Sequence, residues 1–115
     1  MDLPATRLNA EIATAPQLTP QAMAAAAAAG FRSVINNRPD FEAGPDQPTS
    51  AAIEASARAA GLEYAHLPVA SNFQTPEQAR AMADLMERLP KPVLAFCRSG
   101  ARSGRLYAMA CQLRG

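Results

Sequence analysis

Apolar and polar positions along this chain switch repeatedly between a strand period and a helix period. Val93-Leu94-Ala95-Phe96 is a continuous apolar run, the pattern of a strand buried on both faces of a parallel sheet. From Arg102 onward, Leu106, Met109, Ala110 and Leu113 recur at helical spacing. Upstream, Ser33-Val34-Ile35-Asn36 reads as a strand, and Glu63 to Val69 alternates polar and apolar residues as a second. A weaker strand pattern lies near Leu8 to Thr14.

Cap and turn residues place helices between these strands. Thr19 as N-cap and Pro20 as first helical residue open a helix through Gln21 to Ala29, closed by Gly30. Its six consecutive alanines predict a helix lying close against a sheet. Ser50 caps a second helix that carries Ile53, Ala57 and Ala60 on one face and ends at Gly61. Thr75-Pro76-Glu77-Gln78 is a capping box, followed by a stripe of Ala79, Met82, Ala83, Met86 and Leu89. Pro90 and Pro92 end that helix, and Phe41 to Pro48, with Gly44, Pro45 and Pro48, reads as loop.

Strands alternating with helices predict an α/β fold in three layers, with a mostly parallel central sheet flanked by helices. Ligands bind at the carboxyl ends of such strands. The loops after Asn36, Leu67 and Phe96 then share one edge, which makes Asn36, Asn37, Arg38, Asp40 and the Ser71–Thr75 loop candidate walls of one pocket.

Composition narrows the class. The 115 residues make one domain, 1–115, and 49% hydrophobic with 18% charged residues is ordinary for a globular protein. A net charge of +1 argues against nucleic-acid or membrane partners. No signal pattern and no run of about 20 apolar residues is present, so cytoplasm is the expected location. One His and two distant Cys make no metal site, and no cofactor is expected. Charge is unevenly placed: Arg88, Lys91, Arg98, Arg102, Arg105 and Arg114 follow the last of the ten carboxylates, Glu87.

The candidate chemistry lies in Cys97-Arg98-Ser99-Gly100-Ala101-Arg102-Ser103, between the last strand and the last helix. A thiol there meets converging backbone N–H groups at the positive end of a helix dipole, and Arg98 and Arg102 add charge. Each favours thiolate over thiol, so the Cys97 pKa is expected to fall. The turn is suited to hold an oxyanion and present a nucleophile to it. Cys111 lies about 13 Å along the same helix from Arg102, beyond the roughly 7 Å Cα separation of a disulfide, and reads as packing.

The segments Ser33–Asp40, His66–Val69 and Ala95–Ser103, in this order and spacing, resemble the phosphatase-like domain of bacterial beta-lactamase-hydrolase-like proteins. That resemblance implies a protein-tyrosine-phosphatase-like scaffold, with Cys97 as nucleophile, Arg102 as anion-binding arginine and Ser103 bonding the thiolate. Arg98, Ser99, Gly100, Ala101, Asn37 and Arg38 would then contact substrate. Three departures matter. The loop is Cys-x4-Arg, one residue shorter than the phosphatase Cys-x5-Arg and similar to rhodanese-type sulfurtransferases. Phe96 stands where phosphatases place His. Pro68 to Thr75 carries no carboxylate to act as general acid, which leaves Asp40, Glu77 and the single His66 as candidates. Glu77 reads more simply as a cap partner and His66 as a hydrogen-bonded strand residue.

The short loop and the missing acid favour a sulfurtransferase that moves sulfane sulfur from thiosulfate or a persulfide through a Cys97 persulfide to a thiol acceptor or cyanide. Some relatives are fused to persulfide dioxygenase or sulfide-oxidising flavoprotein domains, which the resemblance suggests as partners. The alternatives are a phosphatase acting on phosphate esters through a Cys97 phosphoenzyme, and a non-catalytic oxyanion-binding module.

Overall fold

The computed structural model describes residues 3–114. Five strands form one sheet: β1 (Thr6–Arg7), β2 (Ile12–Ala15), β3 (Ser33–Asn36), β4 (Glu63–His66) and β5 (Val93–Phe96), in the order β1-β2-β5-β3-β4. Only β1 is antiparallel, pairing β2 as a short edge hairpin. Of the strand expected near Leu8 to Thr14, only Ile12–Thr14 forms, as part of β2; residues 8–11 are the connection from β1, which precedes the expected range.

Four helices flank the sheet: α1 (Ala22–Ala28), α2 (Ser50–Ala59), α3 (Pro76–Arg88) and α4 (Ala101–Arg114). Alternation along β5 divides the core between them. Leu94 and Phe96 join Met23, Ala26, Ile53 and Ala57 of α1 and α2, whereas Val93 and Ala95 join Met82, Met86, Leu106 and Ala110 of α3 and α4. The three-layer α/β architecture expected from the strand–helix rhythm is what forms.

Local chemistry sets the boundaries. Thr75 and Gln78 exchange side-chain and backbone bonds at 2.8 and 3.1 Å, so the capping box opens α3 as its sequence predicts. The cap of α2 is Thr49 rather than Ser50, whose hydroxyl instead meets Tyr64 Oη at 2.8 Å. At α1, Thr19 Oγ1 accepts from Ala22 N at 3.2 Å, and a turn precedes the helix proper. The polar strand β4 stops at His66, because Leu67 and Val69 bond to the carbonyls of Asn36 and Asn37 beyond the ladder. On α4, Leu113 is half exposed and Tyr107 buried, a correction to the expected apolar stripe. Tyr107 is anchored by Asn9 Nδ2, which donates to its Oη at 2.8 Å.

Candidate active site

Parallel β3, β4 and β5 bring their carboxyl ends to one edge. The loops that follow enclose a cavity of ≈ 370 Å³ lined by Arg38, Glu42, Ala43, Ser71, Arg98 and Arg102. The expected convergence of these loops is present.

Cys97 leaves β5 and is buried beneath the loop. Its turn is fastened to β2, since Cys97 N donates to Ala15 O at 3.3 Å and Gln17 N donates to Arg98 O at 3.2 Å. Gly100 makes this docking feasible: its φ is +93°, and a Cβ there would meet Ala15 O at 3.3 Å. Gly100 N in turn donates to Cys97 Sγ at 3.0 Å.

Burial pushes the Cys97 thiol up, but the N–H groups of Ser103, Ser99 and Gly100 outweigh it and hold the thiol below its ordinary value, with the Ser103 hydroxyl acting in the same sense. The hydroxyl is the weaker of these contributors. Asn37 turns Nδ2 to Leu67 O at 3.0 Å, so its Oδ1 faces Ser103 and takes the single hydroxyl hydrogen at 2.8 Å. The amides, rather than the arginines, therefore carry most of the shift, and the Ser103 hydroxyl adds to it in the sense expected of that residue.

Arg102 is 4% exposed and does not stand open for an anion at both nitrogens. Its Nη1 donates to Glu42 Oε2 and Val69 O, each at 3.1 Å, and its Nη2 donates to Glu42 Oε1 at 3.0 Å. Arg38 Nε donates to Glu42 Oε1 at 2.8 Å, and Arg38 Nη1 donates to Gln17 Oε1 at 3.0 Å. Burial raises the Glu42 pKa, but the two guanidinium groups reverse it and hold the carboxyl below the usual range. Glu42 is thus ionised at neutral pH. Arg102 Nε is the one buried side-chain nitrogen or oxygen among the described residues without a partner. Its hydrogen-bonding capacity is thus left unused by the fold, at the cost of an unsatisfied buried donor.

The remaining expected site residues divide. Arg38 and Arg98 line the cavity, and Ser99 and Ala101 line a second one beside it. Gly100 reaches the sulfur only through its amide. Asn37 is fully buried and supports Ser103 instead of facing the cavity. Asp40 Oδ1 accepts from Ser50 N at 2.8 Å, fixing the entry to α2. Glu77 is 75% exposed on α3 beside Arg80. Neither acid lines the cavity, which corrects both as candidate proton donors. His66 is exposed on the edge strand, where its Nε2 meets Arg38 O at 2.9 Å. Glu42 is the charged lining residue that sequence reasoning missed, with Ala43 beside it; a lone carboxylate in a Gly/Pro-rich loop carries no local sign of a partner 60 residues away.

The profile of the family described as beta-lactamase hydrolase-like protein, phosphatase-like domain, matches residues 5–113. The chain belongs to this family. A beta-lactamase hydrolase-like protein of Agrobacterium fabrum is 35% identical over 111 residues, covering 96% of this chain and 26% of that one. The chain therefore spans about a quarter of this curated relative's length. Among solved structures, a phosphatase-like protein of Neisseria meningitidis superposes with a TM-score of 0.88 at 29% identity, over 99% of this chain and 80% of that one. Tk-PTP, at 21% identity and a TM-score of 0.73 over 96% of this chain and 71% of its own, shares the fold. The α/β architecture is thus protein-tyrosine-phosphatase-like, as the resemblance implied.

Proposed function

We propose that this domain is a thiol-dependent phosphatase. Cys97 thiolate attacks the phosphorus of a phosphate monoester, the ester oxygen departs with its bonding electrons, and water then releases phosphate from the thiophosphoryl intermediate. The observation that carries this reading is the Cys97 sulfur gathered under loop amides, next to a buried arginine whose Nε has no partner. The amides and Nε supply donors for the equatorial oxygens. Family membership and the phosphatase-like neighbours support phosphoryl chemistry over the sulfur transfer favoured by loop length.

The site also limits the substrate. Glu42 is the one carboxylate lining the cavity, and its ion pairs leave it without a proton to give. Esters whose leaving group departs as a stable anion, such as aryl phosphates, are therefore the expected class.

Sulfur transfer remains as a second reading because the short Cys-x4-Arg ring and the lack of an acid suit a leaving sulfite. In that reading thiosulfate or a persulfide is the donor, a thiol the acceptor, and persulfide dioxygenase or sulfide-oxidising flavoprotein domains the partners. One preparation tests both. Phosphate release from an aryl phosphate that disappears in Cys97→Ser supports the phosphatase. Cys97-dependent thiocyanate formation from thiosulfate and cyanide, without phosphate release, replaces it with the sulfurtransferase. Silence in both assays leaves an oxyanion-binding module.

A further inference from the structure

Next to the cavity that holds Glu42 lies another of ≈ 460 Å³, lined by Ser71, Arg98, Ser99, Ala101, Arg102 and Arg105. The two share Ser71, Arg98 and Arg102, so they form one continuous depression. Their electrostatics differ. In the first, Glu42 neutralises part of the charge of Arg38 and Arg102. In the second there are three arginines and no carboxylate.

Arg98 and Arg105 have no acidic partner within ion-pair distance among the described residues; Arg7, Arg32, Arg88 and Arg114 also form no ion pair there, but Arg98 and Arg105 are the ones that line this cavity. Arg105 is nevertheless held in place. Its Nη2 donates to Ser71 O at 2.9 Å and its Nε to Gln74 Oε1 at 3.5 Å. Neutral acceptors fix the guanidinium and leave its charge uncompensated. With no acid after Glu87, the last helix has no carboxylate of its own to quench it.

We propose that this second cavity takes a second oxyanion, a carboxylate or phosphoryl group carried by the same substrate molecule whose phosphate reacts at Cys97. The inference rests on the phosphatase reading for the word substrate, but the anion site itself does not need it. Arg98 and Arg105 bind the distal group through charge-assisted hydrogen bonds, and Arg98 lies between the two anions. The domain would then select bis-anionic molecules over simple monoesters through KM, because the distal contact is the same in ground and transition states.

Three aryl phosphates whose leaving phenols have nearly equal acidity test this: 4-(2-carboxyethyl)phenyl phosphate, its carboxamide, and its phosphonate analogue. With the wild-type chain, either acid should show a KM about tenfold below that of the carboxamide. A carboxylate preference and a phosphonate preference distinguish the two sources of the distal anion. In Arg105→Gln the ratio should fall to about one. Equal KM values in the wild type, or an undiminished ratio in Arg105→Gln, overturn the proposal while leaving the phosphatase reading intact.

Binding provides a readout that does not depend on turnover. Titrating Cys97→Ser with inorganic phosphate should shift the Cys97-loop amides and, separately, the Arg105 Nε–H with the Ser71 and Gln74 amides. The second set should be lost in the Cys97→Ser/Arg105→Gln double variant. Shifts confined to the Cys97 loop overturn the second site.

Discussion

Glu42→Gln tests the electrostatic reading of the site most directly. Glu42 receives hydrogen bonds from two guanidinium groups that are 7% and 4% exposed, while its own side chain is 26% exposed. Breaking a buried ion pair by removing one partner costs about 3–5 kcal/mol. Partial exposure of Glu42 and the acceptor that glutamine retains reduce this to about 2 kcal/mol. At about 2.1 cal/mol/K per residue, the unfolding entropy of 115 residues is roughly 240 cal/mol/K, so Tm should fall by about 8 °C at pH 7. The sign with pH follows from the lowered Glu42 pKa. The ion-pair contribution is complete above the unfolded-state value near 4.5 and is lost as pH falls through the lower folded-state value. The gap between wild type and variant should therefore close in acid. Sulfate should also stabilise the variant more than the wild type, because the anion replaces the missing carboxylate between Arg38 and Arg102. Thermal unfolding by circular dichroism from pH 3 to 8, with and without sulfate, gives all three readouts. A gap under about 2 °C at pH 7, or an equal gap at pH 3, refutes the reasoning.

Two further outcomes follow from the loop that holds the sulfur. In a Cys111→Ser background, iodoacetamide should modify Cys97 at pH 6, where a thiol of ordinary pKa, about 8.5, is less than about 1% ionised; a rate that rises only above pH 8 contradicts the lowered pKa. Gly100→Ala should cost about 1–3 kcal/mol in denaturant unfolding, from its φ of +93° and the contact with Ala15 O, and should slow that alkylation by moving the amide that faces the sulfur. Wild-type stability and reactivity at Gly100→Ala contradict the docking of the loop on β2.

What the sequence disclosed and what it did not divide along a physical line. Ser33–Asn36 and Val93–Phe96 are strands to the residue, because runs bounded by turn chemistry and buried on both faces leave little choice of register. The Thr75 capping box and the Cys97 turn were equally readable, since each is local: the bonds that define them span three residues. Charge pairing across the fold is not local. The sequence placed Arg102 on the anion and looked to Asp40 or Glu77 for an acid, but Phe41, with φ +63°, turns the chain so that the next residue, Glu42, reaches Arg102. Ala43 N to Gln47 Oε1 at 2.9 Å and Gln47 Nε2 to Pro39 O at 2.9 Å brace that turn. Asp40, two residues before Glu42, is spent on the start of α2. Which of two neighbouring carboxylates reaches the site thus depends on one left-handed residue, and composition or spacing does not encode that choice. The same fact explains the missing acid. A carboxylate clamped by two arginines sets the position of Arg102 and leaves its Nε without a partner, and in the proposed phosphatase reaction the leaving oxygen must then depart unprotonated, as a stable anion.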